Sequence, residues 1–467
     1  MEIRTEIDAW FDKHADEMIE DVKRLIAVKS VLEPAEPGKP YGAGSHAALT
    51  LAREMLASHG IETTVFADCM AQGDIGPGEP ELGILVHVDT VAAHDGWDSD
   101  PFTAEVRGGR IYGRGATDNK GPAVASMYAL YAARELAPQL KKAARILIGS
   151  AEEIGCVDIT AYLREHAPPP CVFAPDADYP LVNVEKGRYC QYFEAEWEPD
   201  GALPRVVSVT GGDTENIVPR VSGAAVEGVP LRAVQALCAE YSEKTGAELT
   251  AEASGKNVKI TSKGTASHAS RPQDGNNAQT ALLALLAALP LAESEGAKRV
   301  RALARLFPHG DTAGHALGIA MGDEVSGDLT LNFGVVTLGE TGLRGNFDSR
   351  TPACADGRDI AGMADRALFD AGLLTAGKTM TRCHHTPADS PFVRTLLRIY
   401  EDYTGEKGEC LALGGTTYVH NIPGGVAFGC ELPGIPNRIH GANEYIGVEQ
   451  LILSAKMFTQ AILDICG

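Results

Sequence analysis

Positive charge is scarce in this sequence. Its 467 residues hold 41 Lys and Arg against 63 Asp and Glu, a formal net charge of −22. Binding to phosphate backbones or anionic lipid needs clustered cations, and the chain has no Lys/Arg run. Nucleic acid and membrane are therefore not expected partners. Long apolar runs are also missing. The longest, around Ala281–Ala292, is Ala/Leu-rich and falls short of the ~20 residues that a membrane span needs. The segment MEIRTEIDAWFDKHADEMIEDVKRL carries acids throughout and lacks the basic start and apolar block of a secretory signal, so a cytoplasmic location is expected. Ten Cys are scattered without a C-x-x-C, which predicts reduced core thiols rather than a disulfide framework. No low-complexity tract and no repeat of solenoid period occurs.

What is present suffices for a large core: 44% of the residues are hydrophobic. The length suggests two or three domains. Apolar spacing predicts an amphipathic helix over Glu2–Val28 and a second over His46–Ser58, closed by Gly60. Strands are expected at Ile61–Ala67, Leu82–Val88, Ala144–Ser150 and Cys171–Ala174, with a helix over Asn119–Leu136 between them. Strands alternating with helices argue for an α/β domain. From about Lys186 to Cys383 the pattern turns β-rich, with helices expected at Pro230–Thr245, Asn277–Leu289 and Ile360–Ala371. The α/β style then returns with a helix over Pro391–Tyr403, a strand at Gly425–Gly429 and a long closing helix over Glu444–Ile465. The expected fold is α/β: a split catalytic domain with a mixed, largely parallel sheet, over residues 1–186 and 384–467. An inserted α+β lid and substrate domain of two halves fills residues 187–383.

Ligands bind at the carboxyl ends of strands in open α/β sheets, so polar residues directly after apolar strands are the candidates for chemistry. Five junctions qualify. LGILVHVDTV supplies His87 and Asp89, IYGRGATDNKGP supplies Asp118, and ILIGSAEEIGC supplies Glu152 and Glu153. CVFAPDADYP supplies Asp176, with Asp178 as its alternative, and GIPNRIHGANEY supplies His440. A single strand-end Asp is usually a turn or cap residue; two His and several carboxylates at such turns form a metal-ligand inventory. Mixed imidazole and carboxylate donors suit Zn²⁺, and also Mn²⁺ or Co²⁺. Two metals roughly 3.5–4 Å apart need one bridging carboxylate and terminal ligands on each side, which this inventory can provide. Of two adjacent acids, one can ligate while the other serves as general base. Asp89 could accept the far ring N–H of His87 and fix its tautomer.

HVDT, GRGATDNKG, AEEIG, PDAD and IHGANEY, in this order and spacing, resemble the co-catalytic metallopeptidases that include aminoacylase, desuccinylase, glutamate carboxypeptidase and bacterial dipeptidases. DADYPLVNVEKG, TENIVPR and LGGTTYVHNIPGGVAFG, together with the long insert, resemble the peptidase V or carnosinase-like dipeptidase branch. The resemblance implies two divalent ions, zinc first, with His87 and Asp176 on one, Glu153 and His440 on the other, and Asp118 bridging. It implies Glu152 as general base and Asp89 as the orienter of His87. His268, in KGTASHASRP, would polarise the scissile carbonyl from the lid. Asn216, Arg350 and Gly415 would hold the substrate, Arg350 by its carboxylate. A cis Asp118–Asn119 peptide and a monomer also follow from it. The implied activity is hydrolysis of dipeptides with a free amino terminus by metal-bound water; the alternative is an N-acyl-amino-acid deacylase. VAAHDGW departs from the usual pattern, and His94 within it is read as a surface turn. Gly113-x-Gly115 lacks the third glycine of a dinucleotide loop. Adjacent His384 and His385 would face opposite sides of a strand and share no metal.

Overall fold

The computed structural model describes residues 2–199, 201–436 and 438–467. The chain divides into two compact units, Met1–Glu185 with His384–Gly467, and Lys186–Cys383.

The first unit is built on a nine-stranded mixed sheet. Its centre is parallel: Pro80–His87 runs parallel to Ala143–Gly149 on one side and to Cys171–Ala174 on the other, and Val426–Ala427 continues beside the latter. These central strands are continuous apolar runs, as strands covered on both faces must be. Antiparallel pairings lie outside them. Met70–Ile75 flanks Ala143–Gly149, with Thr63–Phe66 beyond it. On the other side Leu181–Glu185 takes His384–His385 antiparallel and Cys410–Leu413 parallel. The helices Glu2–Ile26, Lys120–Leu136 and Val448–Cys466 pack on one another. The small residues of Lys120–Leu136 allow that close approach, and every one of them from Lys120 to Ala133 is buried. One core joins Phe11 and Val22 to Ile84, Val86, Met127, Ile146, Phe173 and Phe458. Each such side chain contributes about 1.5–3 kcal/mol on burial.

The closing helix starts later than the sequence pattern predicts. It spans Val448–Cys466, while Tyr445–Gly447 forms a strand against Arg110–Tyr112. That pairing occupies the residues where the helix was expected to begin, and the Glu444 side chain just before it is bonded to the Gly115–Asp118 loop.

The second unit carries one eight-stranded sheet, and its pairings are antiparallel. Gly187–Glu196 and Gly342–Thr351 are its longest neighbours. The period of two sends Tyr189 and Phe193 inward with Phe333 and Phe347, where Phe307 stacks on Phe333 at 4.3 Å. Arg188, Asp348 and Arg350 fall on the other face. Its helices are Leu231–Thr245, Ala278–Ala288, Glu295–Leu306 and Ile360–Asp370. Glu295–Leu306 is an addition to the elements expected from the sequence. Among the described residues no disulfide is formed, and no helix is long and apolar enough to cross a membrane.

Candidate metal centre

The strand Pro80–His87 ends on His87, a residue with no exposed surface. Its Nε2 lies 3.1 Å from Asp118 Oδ1 and 3.5 Å from Asp176 Oδ2, yet that buried nitrogen completes no directed hydrogen bond. His440 Nε2 lies 2.9 Å from Asp118 Oδ2 and 3.2 Å from Glu153 Oε2. Two donor groups result: His87, Asp118 and Asp176, and Asp118, Glu153 and His440, each with its atoms within 4.8 Å of one another. Asp118 belongs to both, one oxygen facing each group. A buried imidazole nitrogen ringed by carboxylate oxygens and lacking its own hydrogen bond is what a cation site offers, and this donor set suits a divalent transition metal.

The electrostatics agree with that fit. Burial, reinforced by the charge of Asp118, pushes Glu153 up to about 7. Burial also raises Glu152 well above the carboxylate range, with Asp176 and Glu153 adding to the effect. Burial opposes charge on His440, but Asp118 and Glu153 outweigh it and hold its pKa at about 11. So many acids in one cluster repel one another, and divalent cations would offset that repulsion.

The backbone around these ligands is tied down by residues that do not belong to either group. Asp89 faces His87 Nδ1 through its backbone carbonyl, at 3.1 Å, more closely than through its carboxylate, at 3.4 Å. Its two carboxylate oxygens also accept the amides of Glu152 and Glu153 at 3.2 and 3.1 Å. Asn119 Nδ2 donates to Asp176 Oδ1 at 3.0 Å and to the Pro175 carbonyl at 2.8 Å. The Asp118–Asn119 peptide is cis. Glu444 accepts the amides of Gly115, Thr117 and Asp118 and, at 2.6 Å, Arg114 Nη1. Sequence reading gave no side-chain role to Asn119 or Glu444. The available signal was their place inside the GRGATDNKG and IHGANEY segments.

Asp178, the alternative to Asp176, lies in the short strand Ala177–Asp178 outside both donor groups. Gly415 follows the strand Cys410–Leu413, and a side chain there would meet only Leu413, at 3.7 Å. His420 Nδ1 contacts Glu185 Oε2 at 3.2 Å. His384 Nε2 donates to the Gly425 carbonyl at 2.8 Å.

In the second unit, His268, Asn216 and Arg350 gather around one stretch of backbone. Ile217 bridges His268, and the Ala269 amide donates to the Asn216 carbonyl at 2.8 Å. Arg350 stands opposite Thr330, whose hydroxyl reaches the Ala269 carbonyl at 3.5 Å. His268 Nδ1 pairs with Ser270 Oγ at 2.7 Å. Arg350 is only 5% exposed and donates from Nε to Asp348 Oδ1 at 2.8 Å. Arg188 takes the other oxygen of Asp348 at 2.6 Å.

A mixed α/β sheet with histidines and carboxylates gathered at its strand ends, in a chain that also carries an α+β unit, fits the class of metallopeptidases. Residues 83–464 match the profile of peptidase family M20/M25/M40, and the chain belongs to that family. It is 34% identical to the Bacillus subtilis protein YtjP over 96% of this chain and 97% of that one. It is 32% identical to the Beta-Ala-Xaa dipeptidase of Lactobacillus delbrueckii subsp. lactis, with 96% of each covered. The fold is similar to that of human carnosine dipeptidase 1, with a TM-score of 0.58, 16% identity and 99% of each chain covered.

Proposed function

We propose that this peptidase hydrolyses dipeptides with a free amino terminus and holds two divalent ions, zinc before manganese or cobalt. The observation that carries the reading is the sharing of Asp118 between two donor groups, each with its own His and its own second acid. The similarity to a Beta-Ala-Xaa dipeptidase along nearly the whole chain supports the substrate class. Bound divalent ions supply Lewis acidity, which polarises a carbonyl and eases deprotonation of water near neutral pH. Glu152 belongs to neither donor group, so its carboxylate is available to take the proton of the attacking water. The same carboxyl returns that proton to the leaving amine. Asp89 acts by holding the Glu152 and Glu153 amides, which aims both acids. To His268 we assign donation toward the carbonyl oxygen as it becomes negative, and to Arg350 the substrate carboxylate, with Asp348 orienting its planar fork. Asn216 and Gly415 are assigned to the substrate backbone. A monomer in the cytoplasm belongs to the same reading.

The test is a small panel of dipeptides, free and N-acetylated, after loading with Zn²⁺ or Mn²⁺. Cleavage confined to the free forms is expected. Preferential cleavage of the acetylated forms would replace this reading with an N-acyl-amino-acid deacylase.

A further inference from the structure

Tyr418 opens the short helical turn Tyr418–Asn421 and is 1% exposed. Its hydroxyl donates to Asp158 Oδ2 at 2.7 Å. The same oxygen accepts the amides of Ser150 and Ala151 at 2.7 and 2.8 Å, and Asp158 Oδ1 accepts the Ile159 amide at 2.8 Å. One fully buried carboxylate thus joins the tyrosine to the backbone that leads directly into Glu152 and Glu153. The ring of Tyr418 does a second thing. It meets the His87 ring edge to face, centroids 6.0 Å apart and planes at 85°, a favoured aromatic geometry.

Gly149 records the same arrangement in steric form. It ends the strand Ala143–Gly149, and its φ is not in the left-handed region. Backbone conformation therefore does not require glycine there. A Cβ at this position, however, would lie 1.9 Å from the Tyr418 oxygen and 2.4 Å from Asp158 Oδ2. The hydroxyl–carboxylate pair occupies the space a side chain would fill. The turn is anchored on its other flank as well: buried Glu185 accepts the Thr417 amide at 3.1 Å and the Thr417 hydroxyl at 2.7 Å. Beneath it Tyr418 packs in a small core with Leu85, Leu147, Cys156 and Ile159. With both flanks and the underside held, the hydroxyl has a defined place from which to act.

We propose that Tyr418 and Asp158 are positioning residues of the catalytic centre: through Asp158 the Tyr418 hydroxyl fixes the loop that carries Glu152, and its ring fixes the plane of His87. The proposal rests on the assignment of Glu152 as general base and His87 as ligand. A hydrogen bond to a buried carboxylate is strong and short, and a general base is effective only when held within a fraction of an ångström of its working position.

Tyr418→Phe in the full-length, metal-loaded enzyme removes the hydroxyl and keeps the ring. The expected result is a kcat lower by about tenfold with KM within about twofold and unfolding still cooperative, the size seen when a supporting partner of a metal site is lost. Asp158→Asn should behave alike and stands in if the Phe variant fails to fold. The double variant should lose no more than the worse single one, because both act through one bond. Tyr418→Ala, which also removes the ring, should shift the visible absorption of Co²⁺ bound to the protein, while Tyr418→Phe should leave it in place. Wild-type kcat in Tyr418→Phe, fully additive losses in the double variant, or a Co²⁺ spectrum indifferent to Tyr418→Ala would each overturn the proposal. Glu152→Gln is measured in parallel. Near-normal turnover there removes the general-base assignment, whereas the double-variant comparison and the Co²⁺ spectrum still report on the brace itself.

Discussion

Glu444 binds into neither donor group, yet it shapes the loop that presents Asp118. Its carboxylate meets three loop amides, those of Gly115, Thr117 and Asp118, and the guanidinium of Arg114, and the pair is 0% and 1% exposed. Glu444→Ala would leave Arg114 charged and buried without its carboxylate partner, at a cost of about 3–5 kcal/mol. Urea denaturation should show this as a lower midpoint; a midpoint equal to wild type would remove Glu444 from the support of the site. Glu152→Gln tests chemistry instead of support. It keeps shape and volume, so kcat should fall by about 10²–10⁴ while metal content, measured by elemental analysis, stays at the wild-type value. His87, Asp118, Glu153, Asp176 and His440 were legible as candidates because each falls at a strand end or in a turn beside an element. Glu444 was not: in sequence it reads as the first residue of an amphipathic helix, and nothing local says that its carboxylate turns back to amides more than 320 positions earlier.

Elements follow their local signals where a cap or an apolar period is strong. Ser294 caps the helix Glu295–Leu306 by accepting the Ala297 amide at 3.1 Å. Ser294→Ala should destabilise the protein by about 1 kcal/mol, as loss of an N-cap does, seen as a modest drop in unfolding midpoint with kcat unchanged. No change in the midpoint would mean that the cap is redundant. The strand Cys171–Ala174 falls where its apolar run predicts. The helix expected from Glu444 begins instead at Val448, because Tyr445–Gly447 finds a partner strand in Arg110–Tyr112. Strand pairing of that kind is a tertiary event, and three residues carry too little pattern to announce it. Asp89 meets more than its spacing suggests: one carboxylate oxygen lies 3.4 Å from His87 Nδ1, its carbonyl lies at 3.1 Å, and the carboxylate also accepts the Glu152 and Glu153 amides.

At the scale of the whole molecule, the candidate metal centre draws its donor residues from both segments of the first unit. His440 arrives from the chain beyond the second unit, and the other four candidates precede it. The donor groups exist only in the folded state, so divalent ions should stabilise it by mass action. At a free ion concentration 100 times Kd the gain is about 2.7 kcal/mol. Chelation should therefore lower the unfolding midpoint, and restoring Zn²⁺ should recover it; a midpoint indifferent to chelator would count against metal binding at these residues.

The sequence by itself determined the kinds of chemistry available: which acids and histidines end strands, and that an α/β pattern is interrupted and resumed. These depend on residue type and short-range period, which are written locally. Only the tertiary structure decided which oxygen faces which nitrogen. It made Asp118 common to two groups, gave the Asp89 carboxylate two amides, and brought Glu444, Asp158 and Tyr418 against loops far away in the chain. Those placements depend on long-range packing and on the satisfaction of buried polar groups, and neither is visible in a window of neighbouring residues.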